Sequence, residues 1–148
     1  MNVNEIVKPF FLDTNVFVYC FDQRAPEKKR VATGIVRYAL ESGEGIISTQ
    51  VVQEFLNVAT QKLETPFRAR DAKDYLAQVL APLCQVFPTI EIYNQAISVS
   101  ELYELSFYDS LIVCGALRAR CKTLLTEDLQ DGQEFDGLKV LNPFRHTR

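Results

Sequence analysis

Four carboxylates carry the chemistry that this chain can offer. Asp13 directly follows the apolar run Phe10-Phe11-Leu12, and Glu54 lies about one turn into the helical stretch after Gly45-Ile46-Ile47-Ser48. Asp109 opens an apolar helical segment, and Asp128 follows Thr123-Leu124-Leu125-Thr126. Brought together, such acids repel: a like-charge pair ~4 Å apart costs about 4 kcal/mol at an effective dielectric near 20. A cluster of this kind persists only if it shares protons or binds cations. The chain has a single His, so a multi-His zinc site is excluded, and a ligand set of oxygens alone selects hard divalent ions, Mg²⁺ or Mn²⁺, one or two of them. Ions of this kind activate a water and stabilise the oxyanion of an in-line phosphoryl displacement. The residue types therefore point to metal-assisted phosphodiester hydrolysis. Each acid also has a plainer reading. Asp13 is a good helix cap, Ser106-Phe107-Tyr108-Asp109 reads as a capping box, Asp128 suits a turn, and Glu54 flanks an apolar helical face.

The elements that must position these acids alternate along the chain, the pattern of a parallel sheet covered by helices. Phe10-Phe11-Leu12 is the first strand. Pro26 opens a helix whose Val31, Ala32, Ile35, Val36, Ala39 and Leu40 share one wide apolar face, ended by Gly43 and Gly45. Residues 45–48 form a second strand. A helix with Val51, Val52, Phe55, Leu56, Val58 and Ala59 on one side follows at once. A more polar helix over 67–81 stops near Pro82. Strand 84–87 comes next, then helices over 90–104 and 107–121, a fourth strand at 123–126 and a fifth at 138–141 closed by Pro143. The expected fold is a three-layer α/β domain spanning 1–148, with a mostly parallel sheet of four to five strands. In such sheets ligands bind outside the carboxyl ends of the strands, where the acids fall.

Composition bounds the alternatives. Hydrophobic content of 47% and charged content of 24% over 148 residues describe an ordinary globular domain. Cys20, Cys84, Cys114 and Cys121 form no CxxC pair, which excludes a zinc ribbon or thioredoxin-type site and reads as reduced thiols of a cytoplasmic protein. Glu5 and the lack of a basic-then-apolar succession argue against a signal peptide. The apolar stretch Leu111 to Leu117 is far below the ~18 residues of a membrane span. The formal charge of −3 excludes binding nucleic acid by net basicity alone. Setting the four acids aside, however, leaves 15 acids against 16 bases, and one bound Mg²⁺ would bring the whole chain to −1.

With these acids in this order, the chain resembles PIN-domain ribonucleases. Phe11-Leu12-Asp13-Thr14-Asn15 resembles their opening segment and Val51-Val52-Gln53-Glu54-Phe55 their helical Glu motif. Tyr108-Asp109-Ser110-Leu111-Ile112 and Leu125-Thr126-Glu127-Asp128-Leu129 resemble the third and fourth acidic motifs. At this size the chain is most similar to VapC-like toxins of type II toxin–antitoxin pairs. The resemblance implies a Mg²⁺-dependent endoribonuclease acting on RNA such as tRNA or rRNA, a homodimer, and a cognate antitoxin that occupies the groove. It makes Asp13, Glu54, Asp109 and Asp128 the metal-binding quartet. Asp13 and Asp109 would be direct ligands, Asp128 would complete the shell directly or through water, and Glu54 would hold a second ion or orient the attacking water. Thr14, Asn15 and Thr126 would orient the carboxylates. Asp131 resembles a further acid of many members, although Gln130-Asp131-Gly132 is also a good turn. Ser110 stands where small apolar residues are common.

Cations must still hold the phosphates. Lys28-Lys29-Arg30 sit in the first turn of a helix, against the macrodipole, and are the candidate RNA contacts; a solvated face is the plainer reading. Phe17, Tyr19 and Phe21 suit packing better than base stacking, and His146 lies in the basic tail 145–148. A receiver domain needs an acidic pair after its first strand and a haloacid-type phosphatase needs Asp-x-Asp. Here Thr14 and Asn15 stand in those places, so both readings fail. Two alternatives share the PIN resemblance: an RNA-processing nuclease outside any toxin pair, and a non-catalytic scaffold that binds RNA or a protein.

Overall fold

Phe10–Leu12 forms the central strand β1, with all three side chains fully buried. The structure, a computed structural model, describes residues 1–147. After β1 come the short helix α1 (Thr14–Tyr19) and α2 (Pro26–Ser42), then β2 (Gly45–Ser48) and α3 (Thr49–Gln61). α4 (Ala69–Tyr75) runs through a π turn at Leu76–Leu80 into the last turn α5 (Ala81–Leu83), and β3 (Cys84–Val86) follows. α6 (Ile90–Tyr103), α7 (Phe107–Arg118), β4 (Thr123–Leu125), β5 (Glu134–Phe135) and β6 (Leu138–Leu141) complete the order.

The sheet order is β3-β2-β1-β4-β6-β5, parallel throughout except for the β5–β6 hairpin. β5 is a sixth strand that the sequence reading omits. Its two residues are too short for a periodic signal, and the turn through Asp136 and Gly137, both at positive φ, makes the hairpin. The strand order steps outward from β1 in both directions. A crevice therefore opens at the carboxyl ends of β1 and β4, where the order reverses.

The apolar faces expected on α2 and α3 are buried: Val31, Ala32, Ile35, Val36 and Ala39 on one, Val51, Phe55 and Ala59 on the other. Leu40 lies outside that face and is exposed. α7 is the most enclosed helix, burying Ser110 and Ile112 through Ala116, which accounts for the long apolar stretch there. Among the described residues no helix is long and apolar enough to cross a membrane. All four cysteines are free.

Three boundaries differ from expectation for local reasons. α1 fits into six residues whose apolar spacing is too short to mark a helix; Asp13 starts it by accepting the Thr14 N–H at 2.7 Å. The polar helix passes through Pro82 rather than stopping before it. Just upstream the ladder widens, with the Ala81 N–H bonding to the Leu76 carbonyl, and this π turn accommodates the ring. α7 ends three residues early. Arg120 adopts φ 59°, Cys121 N–H returns to the Ala116 carbonyl at 3.0 Å, and Lys122 N–H bonds to Pro9 at 2.8 Å, which starts β4 beside β1.

Two glycines separate packing from flexibility. A Cβ on Gly45 would stand 2.3 Å from Ala39 Cβ and 3.0 Å from Ala39 Cα, whereas one on Gly34, inside α2, would meet nothing within 4 Å. Gly45→Ala is expected to lower stability by about 1–3 kcal/mol through overpacking of β2 on α2. Gly34→Ala is expected to raise it by about 0.5–1 kcal/mol through helix propensity. Urea denaturation of the two variants checks both signs.

Candidate active site

The crevice is an open cleft of about 550 Å³ between α1, α3, the start of α7 and the loop after β4. Asp13, Glu54, Asp109 and Asp128 all line it, together with Thr14 and Asn15. Four acids separated by up to 115 positions thus face one space. Each arrives by its own element. Asp13 ends β1 and caps α1, and Glu54 is carried on α3. Asp109 lies in the first turn of α7, where Ser106 Oγ accepts its N–H at 3.1 Å. Only half of the expected capping box forms: among the described residues the Asp109 carboxylate accepts no hydrogen bond in return and is left to the cleft. Ser110, the polar residue beside it, is fully buried and donates its hydroxyl to the Ser106 carbonyl at 2.8 Å.

Asp13 is the most constrained of the four. It is 5% exposed, and its two oxygens accept separately from the Thr14 N–H at 2.7 Å and the Thr126 hydroxyl at 2.8 Å. Burial pushes its carboxyl up to about 7. The two hydrogen bonds oppose that shift, and the charges of Asp128 and Glu54 add to it. Asp128 accepts from Asn15 Nδ2 at 3.2 Å. Desolvation also raises its carboxyl, and the charges of Asp109 and Glu127 push the same way. Glu54 is gripped on both oxygens, by Thr14 Oγ1 at 2.6 Å and by Gln50 Nε2 at 3.4 Å. Thr126, buried, also accepts from Asn15 Nδ2 and from the Asp128 N–H, each at 3.1 Å.

The donors are oxygens only, and Asn15 Oδ1, buried beside Asp13 and Asp128, has no hydrogen-bond partner. This chemistry suits a hard divalent cation, which would offset the burial and the neighbouring charges that raise Asp13 and Asp128. With the side chains as they stand, no three acids among the described residues converge tightly enough to hold an ion.

Other candidates fall elsewhere. Asp131 faces away from the cleft and accepts from the Asn142 N–H at 2.7 Å and from Arg145. Those partners hold its carboxyl below the usual range and tie the loop after β4 to the segment after β6. Lys28 is paired with Glu127 at 3.1 Å and with the Tyr19 hydroxyl at 3.1 Å, and lies 4.7 Å from the Tyr19 ring centre. Lys29 bonds to Gln23 and Arg30 to Glu27, each at 3.1 Å. Phe17 and Phe21 pack against Phe55, as expected of core aromatics. Of the basic tail, Arg145 and His146 are described and Arg148 lies outside the described residues.

From the sequence alone Gln50 draws no attention and Glu127 has no role of its own. Gln50 stands four residues before Glu54 on the same helix, a spacing that could have marked it. Glu127 had no such signal, because its partners Lys28 and Tyr19 are about a hundred positions away.

The raised Asp13 carboxyl has a consequence for stability. Unfolded, an Asp releases its proton near its ordinary value of 3.8, while native Asp13 keeps it to about 7. Its stabilising contribution is therefore complete below pH 3.8 and is lost as pH rises through about 7, by on the order of 4 kcal/mol. With divalent ions chelated, the stability difference between wild type and Asp13→Asn should shift against wild type from pH 4 to pH 8. Urea titrations across that range measure it.

The sequence profile of the PIN domain matches residues 10–133. No curated protein sequence matches the chain. Solved structures do, at low identity. A toxin–antitoxin complex from Klebsiella pneumoniae is 21% identical, with a TM-score of 0.63, and the match covers 90% of this chain and 96% of that one. VapBC2 from Rickettsia felis, bound to a DNA fragment from its promoter, is 18% identical, with a TM-score of 0.59 and coverage of 88% and 96%. VapC20 from Mycobacterium tuberculosis, a toxin that cleaves the sarcin–ricin loop, is 18% identical, with a TM-score of 0.51 and coverage of 78% and 86%. These structures share the fold, and with the profile spanning most of its length, from the first strand to the loop after β4, the chain belongs to the PIN-domain family.

Proposed function

We propose that this protein is a divalent-metal-dependent endoribonuclease and the toxin of a toxin–antitoxin pair. One observation carries the reading: a buried carboxylate, Asp13, is held by two hydrogen bonds at the switch point of the sheet, in a cleft it shares with Glu54, Asp109 and Asp128. Asp13, Asp109 and Asp128 would hold Mg²⁺ or Mn²⁺, with Glu54 at a second ion or at the attacking water. Held by these residues, such an ion would supply a more acidic water and charge stabilisation at the scissile phosphate. The chain's own residues do the positioning. Thr126 and the Thr14 N–H fix the Asp13 carboxylate. Thr14 Oγ1 and Gln50 fix Glu54 as an acceptor facing the cleft, and Asn15 holds Asp128.

The toxin assignment draws on the complexes in which the similar folds were solved. It brings with it an antitoxin that covers the cleft, a homodimer, a structured RNA such as tRNA or rRNA as substrate, and a cytoplasmic site of action. On this reading Lys29 and Arg30 contact RNA phosphate, the Arg30–Glu27 pair being an exposed one that phosphate can displace, while Lys28 is held half-buried between Glu127 and Tyr19.

Two measurements test this. Incubated with total RNA, the protein should cut in Mg²⁺ and fail in EDTA, and Asp13→Ala or Asp109→Ala should each lower the rate by at least about a hundredfold; undiminished cutting by Asp109→Ala would sink the site assignment. Substituting both Lys29 and Arg30 by Ala should weaken binding of an uncleaved RNA and reduce the log–log salt slope by about 1 to 2. A slope equal to that of wild type counts against the phosphate contact.

A further inference from the structure

The wall of the acidic cleft carries five carboxylates, Asp13, Asp22, Glu54, Asp109 and Asp128, and, among the described residues, one cation, Lys62. Lys62 closes α3, its N–H bonding to the Val58 carbonyl at 2.8 Å. It is exposed, and among the described residues its ammonium forms no ion pair. The cations of the α1–α2 loop and the first turn of α2 are all engaged: Arg24 by Asp22, Lys28 by Glu127, Lys29 by Gln23 and Arg30 by Glu27. The macrodipole favours a lysine at any helix C-terminus. What sets Lys62 apart is the face of α3 on which it lies.

Gln50, Glu54, Asn57, Val58 and Lys62 line the cleft at the three- and four-residue steps of a single helical face. Gln50 and Glu54 stand at the end of that face where the acids gather, tied to Tyr108 and Thr14. Lys62 lies eight residues beyond Glu54, about 12 Å along the helix axis. Asn57, between them, is exposed. At Lys62 the cleft runs on into a groove of about 180 Å³, which shares Val18, Asp22, Val58 and Lys62 with it and also has Arg24 on its wall. The groove in turn opens into a hollow of about 690 Å³. Glu64, Asp71 and Asp74 line that hollow, and among the described residues no Lys or Arg does. Like charges repel, so a phosphate chain entering along α3 meets its last favourable charges at Lys62 and Arg24.

We propose that Lys62 is a substrate-binding residue, whose ammonium holds an RNA backbone phosphate a nucleotide or two from the scissile one. The proposal rests on the ribonuclease reading and deepens it, because it gives the strand a direction: along α3, from Glu54 toward the helix C-terminus. A cleft with five acids repels a polyanion. A cation among the catalytic acids offsets that repulsion at the scissile phosphate, and the flanking phosphate needs a counter-charge of its own. Lys62 supplies it on the cleft wall itself, which Lys29 and Arg30 do not line. Asp22 does not compete for the ammonium, since Arg24 Nε already donates to it at 3.2 Å. A lysine is a point charge on a flexible stem, suited to a phosphate of any sequence and not to a fixed planar partner. Such a contact positions the strand and carries no base information.

The test has two arms. In the first, the full-length protein in EDTA is titrated with a short fluorescein-labelled single-stranded RNA at several salt concentrations. Lys62→Ala should weaken binding about tenfold and reduce the log–log salt slope by about 0.7, the share of one phosphate on a single strand. Lys62→Arg should restore both. Arg37→Ala removes the same charge from an exposed position of α2 that lines neither the cleft nor the groove, and it should leave the slope unchanged. A Lys62→Ala slope equal to that of wild type, a loss no larger than that of Arg37→Ala, or no RNA binding by wild type overturns the proposal. In the second arm, an RNA that wild type cuts in Mg²⁺ is used for kinetics. Lys62→Ala should raise KM about tenfold with kcat nearly unchanged, the mark of binding lost equally from ground state and transition state. A fall in kcat at unchanged KM overturns the proposal. If wild type cuts no RNA, the ribonuclease reading fails, and the titration still decides whether Lys62 holds a phosphate.

Discussion

One buried hydroxyl organises the site. Thr126, with no exposed surface, donates to Asp13 and accepts from the Asn15 side chain and the Asp128 backbone. These contacts join the loop after β4 to the end of β1, next to the strand pairing of Leu12 with Leu125. The Asp13 N–H bonds to the Leu125 carbonyl at 3.0 Å and continues the ladder one step beyond the strands. A carboxylate out of water needs partners on both oxygens. Here the backbone of α1 supplies one partner and Thr126 the other, so the position of Asp13 follows from β1 and β4 lying side by side.

The same arrangement makes the site electrostatically unfavourable. Burial and the neighbouring acids push Asp13 to about 7 and raise Asp128 as well. The surrounding core offsets that cost. Phe10, Phe11, Leu12, Leu124 and Leu125 are fully buried, and α7 is packed along its central turns. Asp13 and Asp128 follow two of the most enclosed strands, where the backbone is least free to relax away from the cleft. Proteins depart from local consistency chiefly at functional sites, and this cleft is such a departure. The ion pair of Lys28 with Glu127, clamped on Tyr19, shows the opposite treatment: there a nearby carboxylate is neutralised by the chain itself.

Gln50 connects the cleft to the rest of the surface. Its amide bridges α3 to the first turn of α7 through Glu54 and the Tyr108 carbonyl. Two acidic positions on separate helices are thereby kept in register by one neutral side chain.

Much of the fold was legible in the sequence because it rests on periodicity. The apolar face of α2, the single buried run of β1 and the stop at Gly43, with φ 69°, follow from local rules that each segment obeys alone. The four acids were also visible: Asp13 and Asp128 stand where apolar runs stop, and Glu54 and Asp109 stand in apolar helical segments. Tertiary structure decided the remainder. It showed Asp13 to be both cap and site residue, turned Asp131 toward Asn142 and Arg145, and paired Lys28 with Glu127. It also left Asn15, Ser48 and Gln50 with unpaired buried atoms. Hydrogen bonds between residues forty to a hundred and thirteen positions apart leave no trace in local spacing, since neither partner's neighbours record the other. The sequence by itself thus determined which element carries each acid; the sheet order and the packing of α3 and α7 on it determined that the four meet.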